Sequence, residues 1–203
     1  MPGRVLVLGA TGGIGRQVVI QALERGHEVT AFVRKPAGLP SKYQGLRLVT
    51  GSLPEDAAAL DAAMPGQEAV ISALGRGASF KSLNLMQRAV PVVLSAMRRH
   101  GVRRLIVTSA FGVGDTLPYA PFLPRLFVRT LLRDIYADKA AGEALVRQSD
   151  LDWTIVHPTG LTDRPFTGKY RAAERLDLRG FPTIGRADVA YFLLAQLADP
   201  RWL

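Results

Sequence analysis

The sequence predicts an α/β fold in which a doubly wound parallel sheet carries helices on both faces. Three observations support this prediction. Short runs rich in Val, Ile and Leu alternate with longer segments of helical periodicity. A glycine-rich turn, "GATGGIG", lies between the first apolar run and the first helical segment. The length of 203 residues with 48% hydrophobic residues suits a single domain over residues 1–203.

The predicted strands are short apolar segments in which polar residues do not alternate. Such continuous runs are typical of strands that are buried on both faces, as in parallel sheets covered by helices. In chain order the strands are Arg4 to Leu8, Glu28 to Arg34, Leu46 to Thr50, Ala69 to Ala73, Arg104 to Ser109 and Trp153 to His157. We therefore predict one parallel sheet built from these segments.

The predicted helices follow from apolar residues that recur at helical spacing. In the first helix Ile14, Val18, Ala22 and Leu23 form one stripe, and Gly26 ends the helix. The others are Asn84 to Arg99, Asp134 to Gln148 and Arg186 to Asp199. Helices in these intervals are what a doubly wound sheet requires.

The stretch "LPYAPFLPRLFVRTLLRDIY", from Leu117 to Tyr136, departs from this alternation. Its three prolines are followed by apolar and basic residues, and it comes after the fifth predicted strand. Loops at the carboxyl edge of a parallel sheet often cover a ligand, so we predict a substrate-covering insertion at 112–136. The periodicity equally allows a helix that packs on the domain or contacts a second copy of the chain.

Composition restricts the classes of function. The chain has no cysteine, and its three histidines lack metal-ligand spacing, so no metal is expected. No apolar run reaches the about 18 residues that span a bilayer, and no signal peptide is recognisable, so we expect a cytoplasmic protein with no membrane span. The net charge of +9 would suit nucleic acid, an anionic membrane surface or a phosphorylated small molecule. The basic residues are scattered without a zinc-finger or RNP motif, so no nucleic-acid partner is expected.

The glycines of the turn follow the spacing GxxGxxG. Gly9, Gly12 and Gly15 occupy the spaced positions, and Gly13 is an additional glycine. At such a strand-to-helix turn, backbone N–H groups and the helix N-terminus face an anion, and the third glycine lets helix and strand pack closely. We therefore predict a Rossmann-like dinucleotide-binding domain. The alternative is a tight turn that binds nothing.

The end of the second predicted strand indicates which dinucleotide binds. NAD-binding domains usually place Asp or Glu there to hold the ribose 2′-hydroxyl, whereas this chain has Arg34 and Lys35. A guanidinium binds a 2′-phosphate through charge-assisted hydrogen bonds worth about 1.5–3 kcal/mol each. The predicted cofactor is NADP, with NADPH preferred over NADH by about ten- to a hundredfold. The alternative is a solvated basic strand end.

Seven segments along the chain carry a family resemblance. They are "GATGGIGRQVV", "VRKP", "ISALG", "TSAFG", "YADKAAGEAL", "LDWTIVHPTGLTD" and "IGRADVAYFLLAQL". Together they resemble the atypical short-chain dehydrogenase/reductases, in the NAD(P)H-binding branch that contains the NmrA-like regulators. "TSAF", "TDRPFTGKY" and "RADVAYFLL" are similar to the biliverdin reductase B type of flavin reductase. The resemblance covers nearly the whole chain, and its branch includes both reductases and proteins that only sense the cofactor.

The resemblance implies roles for residues that follow the later strands. Ser109 matches the serine that faces nicotinamide and substrate, and Lys139 matches the lysine that holds the nicotinamide ribose. Tyr136 is a candidate proton donor, but it precedes Lys139 by three residues, whereas the usual tyrosine precedes its lysine by four, where this chain has Ile135. The implied cofactor-binding residues are Gly9, Thr11, Gly12, Gly13, Ile14, Gly15, Arg34, Lys35, Ser52, Leu53, Ala73, Leu74, Gly75, Ser109, Lys139, Pro158, Thr159 and Gly160.

Other interpretations of these residues stay open at this point. Ser109 could cap its strand through a backbone hydrogen bond, and Lys139 could be a solvated lysine paired with Asp138 or Glu143. We interpret His157, on an apolar strand, as a hydrogen-bonded structural histidine rather than an acid.

Two departures from the family pattern bear on the ligand. Ser52 stands where the family has an acidic residue near the adenine. Gly160 stands where biliverdin reductases of the B type have a histidine, which argues against biliverdin itself as the substrate.

The function predicted from these residues is an NADP-dependent reductase of a flat conjugated acceptor, such as a flavin or a quinone. Direct hydride transfer needs orientation and exclusion of water, and solvent can deliver the proton, so a strong general acid is dispensable. The alternative is a non-catalytic redox sensor that binds NADP(H) and acts through a protein partner. A basic nucleic-acid or membrane-surface protein is a third hypothesis that depends on charge alone. The chain is expected to be a monomer or a homodimer with a small-molecule aromatic acceptor.

Overall fold

Six parallel strands form the main sheet of the structure, a computed structural model that describes residues 3–36, 38–39, 43–75, 83–119, 125, 130 and 132–203. They are β1 (Arg4–Leu8), β2 (Glu28–Val33), β3 (Leu46–Thr50), β4 (Ala69–Ser72), β5 (Arg104–Thr108) and β6 (Asp152–Val156). Their order across the sheet is β3-β2-β1-β4-β5-β6. This is the strand order of a doubly wound, Rossmann-like sheet, so the predicted fold class is confirmed.

Helices cover both faces of the sheet. They are α1 (Gly13–Glu24), α2 (Ala57–Ala63), α3 (Leu85–Arg99), α4 (Arg133–Arg147) and α5 (Arg186–Ala195). Helices α1 and α5 pack together on one face, and α2, α3 and α4 cover the other. The sequence analysis missed the seven-residue α2 and extended α5 beyond its observed end at Ala195.

Strand β1 shows why continuous apolar runs predicted a doubly covered sheet. Val5 and Val7 belong to the core cluster under α1 and α5, whereas Leu6 and Leu8 belong to the cluster under α2 and α3. Side chains of a strand point alternately to its two faces, so the residues at odd and at even positions must all be apolar when both faces are covered.

The strand order changes direction between β1 and β4, which are neighbours in the sheet. The chain moves outward from β1 to β2 and β3 on one side, and from β4 to β5 and β6 on the other. In open α/β sheets the crevice beyond the carboxyl ends of two such strands is where ligands bind. The loops after Leu8 and Ser72 flank that crevice.

Two three-residue strands, β7 (Gly160–Thr162) and β8 (Thr183–Gly185), form a separate parallel pair. The loop between them is attached to α5 because Asp188 accepts hydrogen bonds from the backbone N–H groups of Thr167 and Gly168, at 3.0 and 2.9 Å. Neither strand was predicted, because three residues are too few for a periodicity to be recognised.

The predicted insertion at 112–136 falls partly outside the described residues. The structure describes a 3₁₀ helix at Gly114–Tyr119 and the first residues of α4 from Arg133. Ten of the 25 residues of the insertion, 120–124, 126–129 and 131, lie outside the described residues. The two alternatives for this segment, a ligand cover or a packing helix, therefore stay predictions.

Candidate functional site

The glycine-rich turn joins β1 to α1 and closes tightly on itself. The Gly12 N–H donates to the carbonyl of Gly9 at 3.0 Å. Gly9 has a φ of +74°, and a Cβ there would lie 2.5 Å from the carbonyl oxygen of Ala73. A Cβ at Gly15 would overlap the Gly9 carbonyl. Gly9 and Gly15 are therefore required by the turn and by the close packing of helix on strand, as the spacing predicts.

A cleft of about 610 Å³ opens beside this turn. It gathers residues from the ends of β1, β2, β3 and β4. Nine of the predicted cofactor-binding residues line it: Gly9, Thr11, Gly12, Arg34, Ser52, Leu53, Ala73, Leu74 and Gly75. At Gly12 a Cβ would meet described protein atoms only at the Gly9 carbonyl, 3.2 Å away, so a ligand can approach the backbone there.

The other predicted residues of the turn do not line the cleft with their side chains. Ile14 is 8% exposed and belongs to the core under α1 and α5. The first i→i−4 hydrogen bond of α1 runs from the Arg16 N–H to the Gly12 carbonyl at 2.8 Å. The amides of Gly13 and Ile14 precede that bond, and amides of a first turn have no intrahelical acceptor. Their backbone, rather than their side chains, is what the turn can offer to an anion.

Two charged groups at the cleft differ in how they are held. Arg34, at the end of β2, is exposed and makes no hydrogen bond or ion pair with a described residue. Glu55 is paired with Arg88 at 2.8 Å, and a backbone hydrogen bond together with Arg88 holds the pKa of this carboxyl below its usual range. Glu55 was missed by the sequence analysis. It supplies a carboxylate close to Ser52, where the family pattern has an acidic residue. Lys35 is exposed and lies outside the cleft lining.

Ser109 lies directly after β5 and is 8% exposed. Its backbone N–H donates to the carbonyl of Val156 at 2.8 Å. Its hydroxyl is buried and has no hydrogen bond of regular geometry to a described residue, although it lies near enough to Glu143 to help lower the pKa of that carboxyl. The alternative that the hydroxyl serves to cap the strand is therefore not what is observed. The hydroxyl oxygen is fully buried and Ser109 does not line the cleft beside the turn, so its role toward the nicotinamide stays a prediction.

Lys139 lies on α4 and is half-buried. Burial lowers the pKa of its ammonium group, and the charges of Glu143 and Asp138 oppose that effect. Neither carboxylate contacts the ammonium: Asp138 accepts hydrogen bonds from the backbone N–H groups of Met86 and Gln87, both at 3.0 Å. Within the described residues the ammonium of Lys139 has no hydrogen bond or ion pair, so the paired-lysine alternative is not observed.

Tyr136 lies one turn before Lys139 on the same face of α4. Its hydroxyl donates to the backbone carbonyl of Phe111 at 3.4 Å, and burial raises the pKa of the phenol. A tyrosine that is to transfer a proton needs a lowered pKa and a free hydroxyl. Tyr136 has neither feature in this structure.

Glu143 and His157 form a buried pair behind Ser109. The Nε2 atom of His157 lies 3.0 Å from Oε1 of Glu143, and Arg147 donates to Oε2 at 3.4 Å. Burial raises the pKa of Glu143, but the hydrogen bond and charge of His157, with Ser109 and Arg147, outweigh burial and leave the pKa lowered. The interpretation of His157 as a hydrogen-bonded histidine is confirmed. The partner, Glu143, was missed as a site residue, although its position four residues after Lys139 puts both on one helix face.

A second cavity, of about 400 Å³, lies along β6. Pro158 and Thr159, predicted beside the nicotinamide, line this cavity and not the first cleft. Gly160 lines neither cavity; it belongs to β7, and its N–H donates to the carbonyl of Pro182 at 3.0 Å. The aromatic residues of the cavity wall are Phe111, Tyr119, Trp153, Tyr170, Phe192 and Trp202. His157 also lines it, so the buried pair with Glu143 reaches this cavity.

Solved structures resemble this chain over almost its full length. ChuY, an anaerobillin reductase from Escherichia coli O157:H7, is 27% identical with a TM-score of 0.78, covering 97% of this chain and 91% of ChuY. A short-chain dehydrogenase/reductase from Veillonella parvula, solved in complex with NADP, has a TM-score of 0.80 at 20% identity, covering 98% of this chain and 90% of the other. This second likeness supports the fold.

The sequence comparisons agree with this fold. The uncharacterized sugar epimerase YhfK of Bacillus subtilis is 29% identical over 201 residues, which cover 97% of this chain and 88% of YhfK. Residues 9–200 match the model of a family described as NAD(P)H-binding. The glycine turn, the cleft beside it and this match agree, and the chain belongs to the NAD(P)H-binding family.

Proposed function

We propose that this chain is an NADPH-preferring reductase that reduces a flat conjugated acceptor of the flavin or quinone class. The family match supports NAD(P)H as the cofactor, and the similar ChuY, an anaerobillin reductase, supports oxidoreductase activity. The observation that carries the proposed reaction is the state of Tyr136, whose hydroxyl is bonded to the Phe111 carbonyl and whose phenol pKa is raised. The site thus offers no ready tyrosine acid, which favours acceptors that need none.

The residues present fit a nicotinamide dinucleotide. Gly12 leaves the backbone of the turn accessible, and the first amides of α1 are oriented for a pyrophosphate. The guanidinium of Arg34, which has no partner among the described residues, suits a 2′-phosphate, since planar paired donors match phosphate geometry. The ammonium of Lys139, which has no ion pair among the described residues, and the hydroxyl of Ser109 would hold the nicotinamide half. When bound, NADPH supplies a hydride at C4 of its nicotinamide.

The chain's own residues then orient the reactants and exclude water. The hydroxyl of Ser109 would donate a hydrogen bond to an oxygen or nitrogen atom of the acceptor on which negative charge develops. A conjugated ring system spreads that charge, so solvent can deliver the proton afterwards. Lys139 would fix the ribose and so the angle between the two rings.

The cavity along β6 is our candidate for the acceptor-binding site. Its wall contains six aromatic side chains among the described residues, and aromatic side chains stack well on flat ring systems. Pro158 and Thr159 belong to the same wall and follow β6 after His157, and β6 lies next to β5, which Ser109 directly follows. The similar ChuY is an anaerobillin reductase, which puts anaerobillin beside flavins and quinones among the acceptors to be tested.

The test is a cofactor titration followed by a turnover assay. NADP⁺ and NAD⁺ are titrated by calorimetry, and NADPH oxidation is followed at 340 nm with flavins, quinones and anaerobillin. We expect tighter binding of NADP⁺ and acceptor-dependent oxidation with at least one class. Oxidation no faster than in the Gly12→Val variant, with every acceptor, would refute the reductase proposal.

The second candidate is a redox sensor that binds NADP(H) without turnover. The same engaged Tyr136 hydroxyl favours it, because a site without an acid can also lack an activity. Tight NADPH binding with no oxidation by any acceptor would support the sensor.

None of the helices in the described part of the chain has the length and hydropathy of a membrane span.

A further inference from the structure

The additional glycine of the turn, Gly13, lies under the side chain of Arg186. A Cβ at Gly13 would lie 2.6 Å from Cδ and 2.7 Å from Nε of Arg186. Gly13 is the first residue of α1 and Arg186 is the first residue of α5, so the arginine crosses from the start of one helix to the start of the other. The glycine lacks a side chain here because the arginine occupies the space.

The guanidinium of Arg186 forms an ion pair with one carboxylate, that of Asp163. Its Nη1 donates to Oδ1 of Asp163 at 2.8 Å, and the side chain of Asp163 is 89% exposed. Another carboxylate nearby, that of Asp188, is occupied by the amides of Thr167 and Gly168 and by the hydroxyl of Thr167. The guanidinium therefore lies over the first residue of α1, and among the described residues the solvated carboxylate of Asp163 is its one ion-pair partner.

An arginine and a helix N-terminus are both sources of positive potential. Placed side by side they repel each other weakly, and an anion that contacts both is attracted by both. Nη1 is used by Asp163, whereas the remaining guanidinium donors have no partner among the described residues. Arg186 does not line the cleft itself; it lies over Gly13, the residue after Gly12 of the cleft wall and the first of the helix whose N-terminal amides suit a pyrophosphate.

We propose that Arg186 binds the pyrophosphate of the dinucleotide at the glycine turn, and that Asp163 holds the guanidinium in place for it. The inference depends on the cofactor part of the proposed function. It adds a residue that neither the glycine spacing nor the family resemblance assigned. Because NAD(H) and NADP(H) share the pyrophosphate, Arg186 contributes to the affinity for both, whereas Arg34 discriminates between them.

The main test is the affinity of the Arg186→Met variant for NADP⁺ and NAD⁺, measured by calorimetry. Methionine keeps an apolar stem over Gly13 and removes the charge. We expect both dinucleotides to bind about ten- to a hundredfold more weakly, the range for a lost charge-assisted hydrogen bond. The affinity for 2′-AMP, which has no pyrophosphate, should stay unchanged. Unchanged dinucleotide affinity, or an equal loss for 2′-AMP, would overturn the proposal.

The matched control is Arg98→Met. Arg98 forms an exposed ion pair with Asp150, also at 2.8 Å, near the amino ends of β5 and β6 and away from the turn. This variant loses a surface arginine and an ion pair of the same length. We expect its dinucleotide affinities to equal those of the wild type. A loss equal to that of Arg186→Met would mean that net charge alone explains the effect, which would overturn the assignment.

Asp163→Asn is a second test, in which the affinity for both dinucleotides is expected to rise. Asparagine keeps an oxygen acceptor for Arg186 and removes a negative charge next to the phosphate position. If Arg186 binds the pyrophosphate, both dinucleotides should bind several-fold more tightly, and high salt should reduce the difference. If Arg186 only braces α5 against α1 and neither side chain is near the pyrophosphate, the affinity should stay the same or fall, which would overturn the proposal. Binding that behaves as expected without any turnover would refute the reductase and leave this assignment intact.

Discussion

The carboxylate of Glu143 and the imidazole of His157 lie 3.0 Å apart and connect α4 to the end of β6 behind Ser109. Glu143 is 5% exposed, so its charge depends on this partner and on Arg147. Isolated buried charges are costly, and the lowered pKa of Glu143 means that the folded protein stabilises the carboxylate. The pair holds the two elements that carry Lys139 and the wall of the second cavity.

The first prediction concerns stability and pH. The pKa of Glu143 is lowered from 4.5, so its contribution to the free energy of unfolding is fully present above that value and is lost as the pH falls through the folded pKa. Glu143→Gln should lower the free energy of unfolding near neutral pH by about 1–3 kcal/mol. Urea unfolding of both proteins measures the difference, which should shrink as the pH falls below about 4.

The control for this variant is Glu55→Gln, which breaks the exposed pair with Arg88. Exposed ion pairs contribute little to stability, so the free energy of unfolding of this variant should stay close to that of the wild type. A difference between Glu143→Gln and the wild type that is independent of pH would contradict the role of the charge.

The second prediction concerns cofactor choice. Arg34→Glu should weaken NADPH far more than NADH, because a carboxylate repels the 2′-phosphate and can accept a hydrogen bond from the 2′-hydroxyl. Dissociation constants for both cofactors measure the ratio. Equal losses for NADPH and NADH would show that Arg34 does not contact the 2′-phosphate.

The third prediction separates two glycines of the turn. Gly12→Val should abolish binding of both dinucleotides and leave the fold largely intact, because a side chain there would meet the ligand. Gly15→Val should lower the melting temperature strongly, because its Cβ would overlap the Gly9 carbonyl. Calorimetry and thermal unfolding measure the two effects. Full dinucleotide affinity in Gly12→Val would mean that the glycines only shape the turn.

The fourth prediction concerns the reacting end of the site. Ser109→Ala should lower kcat by about ten- to a thousandfold with little change in NADPH affinity, because its hydrogen bond strengthens as charge develops. Its stability should fall less than that of Glu143→Gln, since the hydroxyl has no hydrogen bond of regular geometry to a described residue and only helps to lower the pKa of Glu143. Steady-state kinetics with an active acceptor provide the measurement.

Lys139→Ala should weaken NADPH binding and lower kcat together. The ammonium would bind the nicotinamide ribose in the ground state and would also orient the nicotinamide for hydride transfer. Tyr136→Phe should change little, since its hydroxyl is bonded to the Phe111 carbonyl. If Tyr136→Phe were the most damaging of the three variants and Ser109→Ala were silent, the chemistry would depend on the tyrosine and these roles would be reversed.

The strands and the glycine turn could be predicted from the sequence because their information is local. Apolar residues at both the odd and the even positions of β1 indicate that both faces of the strand are covered, whatever element covers them. The glycine spacing reports a strand-to-helix turn within seven residues of chain. The dinucleotide cleft followed from these features, since the carboxyl ends of parallel strands meet at one edge of the sheet.

The sequence by itself thus determined the sheet, the turn and the basic residue Arg34 at the end of β2. Tertiary structure alone decided that Arg186 lies over Gly13, because that contact depends on how α5 packs against α1. It also decided that Glu143 pairs with His157 and not with Lys139. Two elements must be packed together before their side chains are within hydrogen-bond distance. Periodicity along one element reports which face is buried, and it carries no information about which side chain of another element will be met there.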